Sequence, residues 1–227
     1  MATKSPATKK STTRPARLPL GRDRVIRAAL ALADRSGVEA LSMRGLARKL
    51  GVEAMSLYRH VANKDDVLDG LVDLVIGEIE IPPLAVGWRA AMRGRAISAR
   101  QVFLRHPWAA TLFESRTSMS GIRLGYADAV LGILRRSGFA VSAAYRSFLL
   151  VDSYLYGFML QELSWPSGEA ERRRMATQMG PLLAAAGHLH LAEVMTHVGS
   201  APAGFDLDVE FERGLDLILD CLDRLRG

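Results

Sequence analysis

The sequence predicts an all-α fold, and three observations support it. Apolar residues recur at three- and four-residue spacing along nearly the whole chain after residue 21. No stretch alternates apolar and polar residues as a half-buried strand does. Glycine or proline closes most of the periodic stretches, where helices stop. No internal repeat is present to suggest a solenoid.

Composition narrows the class further. Of 227 residues, 49% are hydrophobic, enough for a substantial core. No run approaches the ~18 apolar residues of a membrane span. The N-terminus is basic but has no apolar segment behind it, so it is not expected to act as a secretory signal. The single cysteine, Cys221, excludes an internal disulfide and fits a reducing cytoplasm. It lies in an apolar helical pattern and is expected to be buried.

Charge is unevenly placed. Residues 1–22 carry six basic groups and no acid, and residues 23–64 carry eight basic and four acidic groups. The rest of the chain is net acidic, and no lysine follows Lys64. Positive potential is therefore concentrated in the first quarter, as a nucleic-acid partner requires.

The elements follow in order. Residues 1–21 are rich in Ser, Thr, Pro and Ala, and the composition predicts a disordered basic tail. Residues 22–80 are expected to form one domain. Its first helix runs from Arg22 to Ser36, with Val25, Ile26, Ala29, Leu32 and Ala33 as its apolar stripe. Met43, Leu46, Ala47 and Leu50 then make one face of a short helix that Gly51 stops. A tight turn leads to a second short helix, Ala54 to Val61, with Leu57 and Val61 inward. Asn63 caps a fourth helix, Lys64 to about Ile79, closed by Pro82-Pro83.

Two short helices joined by a tight glycine turn form a helix-turn-helix unit. In such a unit the second helix enters the DNA major groove. Its outward side chains here are Met55, Ser56, Tyr58, Arg59 and His60. Arg59 can donate to guanine O6 and N7, Ser56 can donate or accept, and Met55 can touch a thymine methyl. Tyr58 and His60 can reach phosphates. Lys64 can meet a phosphate where a helix N-terminus also presents N–H groups.

The stretch LSMRGLARKLGVEAMSLYRHVANKDDVLDGLVD resembles the TetR family of bacterial repressors. Ser42 and Arg44 open the first helix of the pair. The A-x-x-L-G-V turn, the L-Y-x-H-V helix and the N-K-x-x-V-L start of the next helix follow without a gap. The resemblance implies that Arg44, Ala54, Met55, Tyr58, Arg59, His60 and Lys64 occupy DNA-facing positions. The tetracycline-repressor branch has Gln-Pro where this chain has Ala54-Met55, and Trp where it has Arg59. The operator sequence therefore does not carry over.

Residues 84–227 are expected to form a second, larger helical domain. Trp88–Arg105 is a helix whose outer side is expected to carry Arg89, Arg93, Arg95 and Arg100. Pro107 opens a short helix through Phe113. Further helices are expected at Gly121–Arg136, Val141–Leu163, Gly168 to about Ala186 with Pro181 as a kink or break, Leu189–Val198, and Asp206–Arg226. The region resembles the tetracycline-repressor branch through WRAAMRGRAISARQVFLRHP, RSGFAVSAAYRSFLLVDSYLYGFMLQE and FERGLDLILDCLDRLR. By that resemblance Val141–Leu163 and Asp206–Arg226 are the helices that join two subunits. Both carry more apolar surface than one small domain needs.

The resemblance also implies an effector cavity. The candidates to line it are Trp108, Phe113, Met119, Tyr126, Tyr154, Phe158 and Met159, residue types that more often belong to a plain core than to a ligand contact. Met and aromatic walls suit an apolar or aromatic molecule. The branch holds its drug through a magnesium ion and a histidine where this chain has Thr111, and His106 is a poor substitute before Pro107, which argues against a metal-chelated drug. His188, His190 and Glu193 do not share a helix face, so no metal or cofactor is expected. No motif of a hydrolase, nucleotide-binding enzyme or zinc protease is present. The function expected is a cytoplasmic, homodimeric, ligand-responsive repressor of a double-stranded DNA operator. The alternative is a constitutive DNA-binding protein without an effector.

Overall fold

The computed structural model describes residues 19–116, 120–166, 168–200 and 206–226. Among these the chain forms helices and no strand. The first region holds α1 (Arg22–Ser36), α2 (Met43–Leu50), α3 (Ala54–Leu57) and α4 (Lys64–Gly77). The second holds α5 (Trp88–Arg105), α6 (Pro107–Ser115), α7 (Gly121–Arg136), α8 (Val141–Ser164), α9 (Glu169–Ala185), α10 (Leu189–Ser200) and α11 (Leu207–Asp223). Most of the basic tail, residues 1–18, lies outside the described residues.

Short polar contacts fix the first region. Ser42 Oγ accepts the Gly45 N–H at 3.1 Å and caps α2. Gly51 closes α2 at φ 67° and ψ 39°, the left-handed conformation glycine adopts at little cost. Asn63 Oδ1 accepts the Asp66 N–H at 2.8 Å, and the Asp66 carboxylate accepts the Ala62 N–H at 2.8 Å, so each residue caps the start of α4. Gly70 lets α4 lie directly on α1, since a Cβ there would sit 2.8 Å from Ile26 Cδ1.

The fourth helix joins the cores. Val67 and Leu71 pack with Val25, Ile26, Leu46 and Leu57 of the first region. Val75 enters the larger core of α5, α7, α8 and α11. Val72 and Ile76 pack with Leu112 of α6 between them.

Several expectations need correction. The helix expected over Ala54–Val61 is α-helical only to Leu57. Tyr58 to His60 continue as turns, with the His60 and Val61 amides both donating to the Leu57 carbonyl. Val61 must turn inward and Asn63 must extend to cap α4, which ends the helix early. Arg95 and Arg100, expected outside, are buried at 0% and 5% exposure. Arg89 and Arg93, one turn apart, instead meet Asp216, Asp220 and Glu212 of α11 at the surface. Cys221 is exposed. The inward stripe of α11 is Phe211, Leu215, Leu219 and Leu222, and Cys221 lies off it with exposed Leu217. α9 runs unbroken through Pro181. No helix among the described residues is long and apolar enough to cross a membrane.

Candidate nucleic-acid interface and effector cavity

Leu57 and Val61, at 0% and 2% exposure, anchor the second short helix against Leu46, Ala47 and Leu50. That anchoring orients the remaining side chains. Met55, Tyr58, Arg59 and Arg44 are exposed, and Ala54, Ser56, His60 and Lys64 are half-buried around them. The residues expected to face DNA thus lie at the start of α2, along and just after α3, and at the start of α4. Among the described residues, Arg44, Arg48, Lys49, Arg59 and Lys64 form no ion pair, whereas Arg22 beside them is 2.7 Å from Asp66. Unneutralised cations are what a phosphate backbone attracts.

A cavity of about 570 Å3 lies between α4, α6, α7 and α8, within the ~300–1,000 Å3 typical of small-molecule sites. Phe113 and Tyr126 line it, as the sequence suggests. The Phe113 ring stacks on Tyr156 at 5.5 Å and 19°. Trp108 sits instead between α6 and the first region, its Nε1 donating to Asp34 at 2.8 Å. Tyr154 and Phe158 turn toward α11 and pack on Phe211, and the Tyr154 hydroxyl donates to the Phe211 carbonyl. Met159 is fully buried in the large core. Met119 lies outside the described residues.

Other wall residues were not anticipated. Phe148, Asp152 and Tyr156 come from one face of α8 at four-residue spacing, and Ile76 comes from α4. Asp152 was the available signal, being the one acid in the apolar run from Phe148 to Leu160. Behind the wall, Arg95 Nη2 donates to Asp152 Oδ1 at 2.5 Å and Arg95 Nε donates to the Tyr126 hydroxyl at 2.6 Å. Burial pushes the Asp152 carboxyl above its ordinary range, and the Arg95 charge pulls it back. Burial likewise raises the Tyr126 hydroxyl.

Arg116, also on the wall, reaches α4. Its Nε donates to the Asp69 carboxylate and its Nη2 to the Asp65 carbonyl at 3.1 Å. Ser120 donates to Asp73 one turn further along at 2.6 Å. A second set of contacts joins the other end of α4. His106 Nδ1 is 2.7 Å from Asp34 of α1 and its Nε2 is 3.3 Å from Glu78, to which Arg105 also donates. The cavity and the cationic surface therefore share α4, held at several points along its length.

Two family models match the chain. Residues 25–71 match the model described as bacterial regulatory proteins of the tetR family. Residues 82–225 match the tetracyclin repressor-like C-terminal domain. An HTH-type transcriptional regulator of Saccharopolyspora erythraea is 34% identical over 215 residues, covering 93% of this chain and 86% of that one. The class A tetracycline repressor of transposon 1721, from Escherichia coli, is 32% identical over 207 residues, covering 89% and 90%. Among solved structures, ActR of Streptomyces coelicolor in complex with actinorhodin superposes with a TM-score of 0.76 at 28% identity, covering 92% of this chain and 100% of that one.

Proposed function

The chain belongs to the TetR family of bacterial transcriptional regulators, DNA-binding proteins rather than enzymes, and from that we propose a homodimeric repressor that a small molecule releases from a palindromic operator. The observation that carries this reading is the sharing of α4. Lys64 stands at its DNA-facing start, while Ile76 near its end lines the cavity. A molecule in the cavity touches that helix directly through Ile76, and indirectly through Arg116, which is bonded to Asp65 and Asp69.

The energetics give the sign of the response. A ligand shifts the protein only by binding one arrangement of α4 better than another. Two recognition helices of a dimer must sit about 34–36 Å apart to reach both half-sites. A ligand that prefers another spacing weakens DNA binding, and DNA weakens ligand binding by the same factor. The walls, with Phe113, Phe148 and Tyr156, suit an apolar or aromatic effector.

Support for the dimer is the surface left uncovered. On α11, Leu217 is 68% exposed and is followed one turn later by exposed Cys221. On α8, Val141 and Tyr145, also one turn apart, are 69% and 56% exposed. Packing these faces in a two-fold pair would bury them, and Leu217→Glu should then convert the dimer to monomers in light scattering. A Leu217→Glu protein that stays dimeric would remove this face from the interface.

The switch is tested by fluorescence anisotropy on operator DNA, with a compound found by thermal-shift screening. The compound should release the protein, and the free protein should bind it about 5–150-fold more tightly than the complex does. Arg59→Ala should weaken operator binding by about 1–3 kcal/mol per half-site and relax sequence preference. Equal affinity of the compound for free and operator-bound protein would leave the constitutive DNA-binding reading in its place.

A further inference from the structure

A second cavity, of about 300 Å3, lies between α8, α10 and α11. Phe158, Glu162 and Trp165 of α8 line it, with Val194 and Val198 of α10 and Glu210 of α11. An α-helix turns about 100° per residue, so Phe158 stands roughly 200° around α8 from Tyr156 of the first cavity. One helix thus serves the two cavities with different faces, and they share no described wall residue. Phe158, expected in the effector cavity, belongs to this one.

The two walls differ in charge. The first cavity has two guanidiniums, Arg116 and Arg123, against one carboxylate, Asp152. The second has two carboxylates, Glu162 and Glu210, and no basic side chain among its described wall residues. Glu162 is already matched, since both of its oxygens accept from buried Arg100. Glu210 is held more loosely. Its partner Arg213 is exposed on the same helix, and water screens such a pair. The Glu210 side chain is itself 37% exposed, so a ligand at the wall can meet it. The backbone adds to the negative potential. Trp165 and Val198 stand at the C-terminal ends of α8 and α10, where the helix dipole is negative. The opposing start of α11 is offset by Asp206, Asp208 and Glu210.

We propose that this cavity is a second ligand site, separate from the effector cavity, and that it takes a small amphipathic cation such as an arylalkyl-ammonium. The apolar body lies among Phe158, Val194 and Val198, and the ammonium meets Glu210. Trp165 favours the same ligand, because an aromatic ring attracts a cation electrostatically. A carboxylate of the same shape would meet Glu210 and two negative helix ends with no cation on the described wall to receive it.

Two probes with one apolar body test this. Isothermal titration of the full chain at neutral pH compares 4-phenylbutylammonium with 4-phenylbutyrate. The ammonium should bind roughly tenfold or more tightly. Glu210→Gln removes the charge from a half-buried position and should bring the ratio close to one. Val194→Trp fills the cavity from an exposed position on α10 and should abolish binding of the ammonium. The comparison on the unaltered chain decides the matter even if a variant fails to fold. Equal binding, a preference for the carboxylate, binding of neither probe, or ammonium binding that survives Val194→Trp would each overturn the proposal. So would a preference unchanged in Glu210→Gln. Operator release by a compound in the first cavity would stand under any of these results.

Discussion

Arg95 and Arg100 leave α5 on different flanks and build two versions of one device. Each is buried, each meets a carboxylate from α8, and each lies under aromatic rings. Arg100 donates through Nε and Nη2 to both oxygens of Glu162, at 2.9 and 2.6 Å, and its Nη1 is 2.7 Å from Asp208 of α11. Phe158 and Phe211 cover it. Arg95 has Asp152, Tyr126 and the rings of Tyr126 and Phe148, but nothing on Nη1. One fork is closed by protein on every nitrogen and joins three helices. The other leaves Nη1 buried without a partner, behind the Asp152 and Tyr126 side chains that line the cavity. The first fork uses every nitrogen on carboxylates; the second ties α5 to α7 and α8 with one donor unused.

The largest effect that tests this contrast is expected from Arg100→Leu. It strands the Glu162 carboxylate, whose side chain is 11% exposed, and breaking a buried pair from one side costs about 3–5 kcal/mol. Urea unfolding measures it, and a loss below about 1 kcal/mol would show that the closed fork is not structural. Arg95→Lys should cost less, about 1 kcal/mol for the lost Tyr126 bond, because an ammonium still faces Asp152. A cost equal to that of Arg100→Leu would erase the distinction between the two sites. Asp208→Asn should cost least, about 0–1 kcal/mol, since Asp208 is 72% exposed and its pair is screened by water.

The sequence was legible where local chemistry decides. Ser42, Gly51, Asn63 and Pro107 set helix ends through a side-chain acceptor, a positive φ or a missing N–H, and each acts within a few residues. It was less legible where partners come from far along the chain. Arg95 and Arg100 looked like a solvated face because Asp152 and Glu162 lie more than fifty residues away. The apolar pattern of α11 did not say which side faces its own core. Leu219 and Leu222 do, at 0% exposure, so a charge there would disrupt the protomer, whereas Leu217 is exposed. Of the residues proposed for the cavity, Phe113 and Tyr126 sit on its wall, whereas Tyr154 and Phe158 were drawn away by Phe211. Aromatic composition finds the neighbourhood of a cavity but not its lining.

The contacts around His106 bear on how the protein meets DNA. Asp34 at the end of α1 takes both His106 and the Trp108 indole, and Glu78 after α4 takes His106 and Arg105. The first region is thus bolted to the second at two corners instead of hanging from a hinge. Contacts at both corners oppose a swivel of the first region toward a rotated target. One base pair inserted between half-sites shifts the second by about 3.4 Å but also turns it by roughly 35° around the duplex. The operator should therefore be read as a fixed helical phase, with a half-turn of added DNA more damaging than a whole one.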